Sequence, residues 1–388
     1  MTTIAKIVAA IGFSALVALG CSWDNPVWPK NKKSDTPLFR FIIRERGGTG
    51  YIDRNGKVVI PPTLTSFGNY GDDDFFDGLA SVRMNGESWF IDRNGKPVFK
   101  DHGYLLGHFS EGFASIRQAN KAGFIDRTGK VAIPASFDSV GDFTDGLAAV
   151  RIGDYYGYIG RDGNFAIRPK YTMAESFSEG AARVIDESQC LYTGYDPCAD
   201  FNPMILPYHA DGKAPVNPPR CHYSFIDKQG KPLFQSKYPD AKDFAGGLAP
   251  VGDGKHWGYV DPKGAVAIPM RYDNAEPFAE GLARVRLDGK WGFIDQTGKI
   301  VLPAVYQTAL DFSEGIAVVR DVTFNYRFID KKGHQAIPQV YTAASSFVMG
   351  LAHVRIGVDY YSAKWSYIDH TGKAVFTYSD QSNHGASR

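Results

Sequence analysis

Residues 290–303 read Lys290-Trp291-Gly292-Phe293-Ile294-Asp295-Gln296-Thr297-Gly298-Lys299-Ile300-Val301-Leu302-Pro303. Gly292-Phe293-Ile294-Asp295 alternates in polarity as a half-buried strand does, and Lys299-Ile300-Val301-Leu302 is rich in β-branched residues that suit a pleated surface. Between them Asp-x-x-Gly supplies turn chemistry. The carboxylate accepts nearby backbone N–H groups, and the glycine takes φ > 0. Pro303 lacks an N–H for a sheet ladder, so the reading ends the second strand there.

Just upstream, Phe278-Ala279-Glu280-Gly281 leads into Leu282-Ala283-Arg284-Val285-Arg286, whose two-residue period predicts another strand. Asp288-Gly289 is a turn signal joining it to the Trp-Gly strand. One unit is therefore a three-stranded antiparallel meander.

This unit recurs. The turn glycine reappears at Gly56, Gly95, Gly129, Gly163, Gly230, Gly264, Gly298, Gly333 and Gly372, spaced 39, 34, 34, 67, 34, 34, 35 and 39 residues apart. Asp stands three residues before it in every copy except the fourth, where Gly160 takes its place. Phe-x-Glu-Gly recurs as Phe109-Ser110-Glu111-Gly112, Phe143-Thr144-Asp145-Gly146, Phe177-Ser178-Glu179-Gly180 and Phe312-Ser313-Glu314-Gly315, with Gly246 and Met349 in place of the acid. An aromatic often precedes that Phe by six residues, as at Tyr272, Tyr306 and Tyr341, and the reading puts it in a defined turn of the connection. The expected fold is an all-β tandem array of nine three-stranded meanders over 39–376, forming a curved solenoid or superhelix. A closed propeller-like ring is the alternative, although propellers typically use four strands per blade.

The copies resemble the bacterial WG-repeat (KWG-repeat) family. Trp257-Gly258-Tyr259-Val260-Asp261 and Trp291-Gly292-Phe293-Ile294-Asp295 match its motif closely. Ala122-Gly123-Phe124, Tyr156-Gly157-Tyr158, Trp365-Ser366-Tyr367 and Trp89-Phe90 are read as drifted copies. The resemblance implies binding or scaffolding and carries no shared active site.

The flanks say where such an array sits. Residues 1–21 have the build of an export signal: one charge at Lys6, then an apolar run too short to span a bilayer comfortably. Val17-Ala18-Leu19-Gly20-Cys21 resembles a lipobox, with Ala18 where Leu is usual, and makes Cys21 the expected lipidation site. Ser22 after the cysteine, by resemblance to sorting rules, implies the outer membrane, facing the periplasm or the cell surface. Residues 22–38, rich in Pro and Lys, read as a tether, and 377–388 as a frayed tail.

The 67-residue spacing marks an insertion over 186–222 that holds Cys190, Cys198 and Cys221. An exported loop favours a disulfide over zinc, and the cysteine spacings match no standard zinc knuckle. Cys190–Cys221 is the favoured pair, because these two lie nearest the flanking strands, with Cys198 left over.

Candidate chemistry is sparse. The repeated Asp and Glu fit turn chemistry better than a calcium ladder, which needs denser oxygen ligands. Trp89, Trp257, Trp291 and Trp365 are candidate stacking surfaces for sugar rings, set against the reading that they pack between units. The sequence shows no catalytic triad, phosphate loop or metal motif, so no catalytic residue, metal or cofactor is expected. A net charge of +1 without a basic run sets nucleic acid aside. The expectation is a lipid-anchored, non-catalytic envelope module with a protein or glycan partner. The alternatives are an enzyme or ligand site in the insertion, and a passive structural spacer.

Overall fold

A computed structural model describes residues 37–43, 48–65, 74–101, 107–186, 190–191, 220–357 and 364–379. The expected export signal with Cys21, most of the expected tether, Cys198 and the end of the expected tail lie outside them. The three- and four-stranded sheets belong to one compact unit, residues 34–190 and 221–388.

The structure is all-β. Among the described residues nine separate three- or four-stranded antiparallel sheets follow one another along the chain, with no barrel, and a two-stranded sheet pairs Cys190–Leu191 with Arg220–Cys221. In the seventh meander, Leu282–Leu287 pairs with Lys290–Asp295 in the register Val285↔Gly292, and Lys290–Asp295 pairs with Ile300–Tyr306. A two-residue strand, Asn274–Ala275, adds a fourth member, and similar short strands begin other units.

The turns form for the reason the sequence gives. Asp295 Oδ1 accepts from the N–H groups of Thr297 (2.9 Å) and Lys299 (3.1 Å), while Gly298 sits at φ 80°. The Thr297 hydroxyl also donates to this carboxylate and holds its pKa below the usual Asp value. In the fourth unit, where Gly160 replaces Asp, Asp162 accepts from the Asn164 N–H instead (3.0 Å).

Two sequence expectations need correction. Pro303 does not end the third strand: Ile300–Tyr306 runs through it. The strand is the outer edge of its sheet, and the register shifts on either side of Phe293 leave the proline nitrogen without a ladder duty. Tyr306 is therefore not in a connecting turn. It closes the outer strand and pairs directly with Trp291, as Tyr272 does with Trp257 and Tyr171 with Tyr156.

This bulged edge explains the glycine of the Trp-Gly pair. A Cβ on Gly292 would lie 2.7 Å from the Leu302 carbonyl oxygen, and one on Gly258 or Gly157 would lie 2.5 Å from the Ile268 or Ile167 carbonyl. The units with this glycine (Gly50, Gly123, Gly157, Gly258, Gly292) each show two register shifts against the outer strand. The second and ninth units lack it and show one.

Cores form between successive meanders. Tyr259, Ile268 and Tyr272 of the sixth pack on Phe278, Ala283, Val285 and Ile294 of the seventh. The same arrangement joins the first meander to the ninth: Phe39, Phe41 and Ile52 pack on Leu351 and Tyr367. The two ends of the array thus meet. Phe41 and Phe376 have ring centroids 4.8 Å apart, and Arg54 Nε donates to the Met349 carbonyl (2.9 Å).

Candidate functional site

The repeated carboxylates bind the units to one another. Asp77 Oδ2 accepts from the N–H of Gly112 (2.7 Å), Glu111 Oε2 from Gly146 (3.0 Å), Asp145 Oδ2 from Gly180 (2.8 Å) and Glu280 Oε2 from Gly315 (2.9 Å). Each acid thus holds the equivalent turn of the next unit. The acids themselves sit at φ near 50°, which turns the side chain toward the neighbouring unit's backbone. A polar side chain from the equivalent hairpin turn of the following unit often closes the clasp, as Arg161 does on Glu111 (2.7 Å) and Lys331 on the Glu280 carbonyl (2.8 Å). Met349 has no carboxylate to offer at the junction of the two ends. There Arg54 reaches its backbone carbonyl in the same place.

A second set of charges is sequestered nearer the cores. Arg284 Nε meets Asp311 of the next unit at 2.6 Å and its Nη1 donates to the Ala309 carbonyl (2.7 Å). Arg183 does the same with Asp243 and Ala241. His108 lies 3.4 Å from Asp142, whose burial raises its carboxyl pKa while the histidine opposes the rise. His353 occupies the position of Arg284 in the ninth unit. It stacks on Trp365, Tyr367 and Tyr378 and bonds Tyr378 through Nε2 at 2.9 Å. Burial, helped by the positive charge of Arg40, lowers its pKa to about 4.

Three of the four candidate tryptophans are equivalent and half-buried. Each has a ring contact from its own chain: Lys242 Nζ over Trp257 (5.0 Å to the centroid), Arg284 over Trp291 (5.4 Å) and His353 against Trp365 (4.5 Å). Trp89 is not their counterpart. It pairs with Val82 as Gly292 pairs with Val285, so the strand register puts it at the glycine position and Ser88 at the tryptophan position. Sequence proximity to Phe90 had suggested otherwise; counting back from Asp92 gives the right alignment.

An open cleft of about 660 Å³ lies where the two ends meet, lined by Arg54, Glu314, Gly350, Asp369, His370 and Lys373. His370 Nε2 is 2.9 Å from the Glu314 carboxylate, so these two lining groups already partner each other. Cys221 is disulfide-bonded and offers no thiolate for a nucleophile or a zinc ion. Among the described residues no group of three or more His, Cys, Asp or Glu side chains is placed to hold a metal.

These features define a tandem β-repeat protein whose units are clasped by backbone-binding acids. The model of the WG-containing-repeat family matches residues 50–87, 123–156, 156–187, 223–254, 257–291, 291–321 and 326–357, more than half of the chain, and the protein belongs to that family. A solved structure described as the eukaryotic initiation factor is similar in fold, with a TM-score of 0.58 at 10% identity, over 89% of this chain and 96% of the other. The computationally designed Ika8 protein matches with a TM-score of 0.40 at 13% identity, over 71% of this chain and 89% of its own. A search of curated proteins finds no match.

Proposed function

We propose that this protein is a non-catalytic binding module of the bacterial envelope that presents its repeat surface to protein or glycan partners. The observation that carries this reading is the fate of the repeated side chains. The acids are consumed in clasps between units, whereas half-buried aromatics recur at one position of unit after unit. A surface of repeated, equivalent positions suits an extended partner touched at many points. In this reading Cys21 becomes a lipidated N-terminus and the protein an outer-membrane lipoprotein.

Capture from envelope fractions, analysed by mass spectrometry, tests the binding reading. A partner retained after deletion of residues 186–222 supports the repeat surface. A partner lost on that deletion moves the site to the insertion, and no partner at all supports a passive spacer. The anchor is tested separately: Cys21→Ser leaves unprocessed precursor without lipid label, and unchanged labelling refutes it.

A further inference from the structure

The strand register aligns three side chains across each of several meanders. In the seventh unit Arg286 pairs with Trp291, and Trp291 with Tyr306. The fourth unit repeats the row as Arg151, Tyr156 and Tyr171. The eighth repeats it as Arg320, Tyr326 and Tyr341. Directly paired residues of antiparallel strands project to one side of the sheet, so each row places an arginine and two aromatic side chains on the same side, and the Arg320 guanidinium lies 5.7 Å from the Tyr326 ring centroid. In the seventh unit that side faces the eighth: Trp291 and Tyr306 pack against a core that includes Phe312 and Val319. Arg286, Trp291 and Tyr306 are each half-buried, at the margin of this junction.

In the seventh unit Arg286 differs from Arg284, two residues earlier on the same strand. Arg284 holds Asp311, but among the described residues no carboxylate pairs with Arg286 or with Arg320 of the eighth unit, whereas Arg151 sits in the field of Asp138 and donates to the Gly153 carbonyl (2.9 Å). The buried Nε atoms of Arg286 and Arg320 make no hydrogen bond. Asp273, the acid on the neighbouring short connection, is engaged by the Gly289 N–H (2.9 Å). A planar fork of donors held beside aromatic rings without an internal anion matches one ligand chemistry well. A carboxylate takes the fork, and a sugar ring lies against the aromatic margin.

We infer that the rows centred on Arg286 and Arg320 bind an acidic polysaccharide, one uronate-type carboxylate per arginine. The inference rests on the binding reading above and names its ligand class.

The test uses the full chain with oligogalacturonate as probe, measured by calorimetry at low salt, with dextran as the neutral arm and an oligo-dT strand as the phosphodiester arm. The expected result is saturable, salt-sensitive binding to oligogalacturonate alone. Arg286→Gln with Arg320→Gln should weaken it at least tenfold at an unchanged melting temperature. Arg286→Lys should recover only part of the loss, since an ammonium cannot form the fork. If the double variant melts early, the single variants carry the same comparison. Absence of oligogalacturonate binding, an unchanged Kd in the variants, or tighter binding of oligo-dT overturns the assignment. An envelope partner still captured by the double Gln variant would then leave the binding reading standing without this site.

Discussion

Tyr367 donates its hydroxyl hydrogen bond to the backbone carbonyl of Arg40, 2.5 Å away and 327 residues earlier in the chain. Its ring also lies 5.5 Å from Phe39. The ninth meander thus treats the first as its successor. Tyr367→Phe keeps the ring and removes the bond, leaving a carbonyl at a packed junction without its donor. The expected loss is about 1 kcal/mol. Early proteolysis near Phe39 and Phe376 should accompany it. Thermal melts of the variant and the parent measure the first effect, and fragment mapping the second. An unchanged melt with unchanged cleavage would show that the ends hold by ring packing alone.

His353 makes the same junction sensitive to acid. Its pKa falls from the ordinary 6.5 to about 4 in the folded protein, so the unfolded chain binds the extra proton between those values. Stability is therefore full above about pH 6.5 and is lost as pH falls toward 4, with a ceiling of about 3 kcal/mol. Denaturant titrations across this window should show the slope in the parent and a flatter profile in His353→Gln. Parallel profiles would mean that the ring stays solvated or that other groups dominate.

Much of this fold is legible in the sequence because its determinants are local. Asp295 and Gly298 specify a turn within five residues, and Leu282 to Arg286 carry their own alternation. What escaped is what depends on a neighbour. Nothing near Glu111 in sequence points to the Gly146 N–H, 35 residues on, that it holds. The glycine of the Trp-Gly pair answers to the bulged outer strand beside it, ten residues on in sequence. Pro303 was read by its missing donor, without the fact that an edge strand needs none there. The pairing of Arg286 with Trp291 was open to inspection once the turn at Asp288-Gly289 was recognised, since a tight hairpin fixes the register.

The clasps predict a graded response to substitution. Glu111 is well covered and accepts from both Gly146 and Arg161. Glu111→Ala removes the acceptor from a backbone N–H at the junction of the third and fourth units. The expected cost is about 2 kcal/mol, in the range of hydrogen bonds to charged groups. Glu111→Gln keeps an acceptor oxygen and should lose about half of that. Equal melts for the two variants would mean that the interaction is set by the side chain's packing, not its oxygen.

Cys221 belongs to a disulfide, and its short strand pairs with the one that carries Cys190. Non-reducing peptide mapping is expected to return Cys190–Cys221. The meander strands on either side, Ala182–Ile185 and Ser224–Ile226, pair with each other without help from the bridge. Reduction should therefore expose residues 186–219 to protease and leave the array's β-signal intact, since a cross-link acts chiefly on the unfolded chain. A mapped Cys198–Cys221 peptide would reassign the pair, and a global loss of β-signal would show that the bridge supports the array.

Gly292 offers the sharpest test of how the repeat is built. A methyl group there would meet the Leu302 carbonyl oxygen, the Ala304 nitrogen and the Ala304 Cα at 2.7–2.8 Å, all of them backbone. Backbone held in a bulged ladder cannot swing aside as a side-chain tip can, so the outer strand must shift or its register must change. Gly292→Ala should cost about 3 kcal/mol, the upper end of overpacking losses. Ser366 occupies the same position in the ninth unit without penalty, because its outer strand continues in regular register to Ser379. Ser366→Gly should therefore bring no gain and lose a little strand propensity, along with the hydroxyl contact to Thr377. The decisive comparison is the melt of Gly292→Ala against that of Ser366→Gly. A small effect of the first would mean that the bulge adapts to the side chain, and the glycine would then need another explanation than the carbonyl it faces.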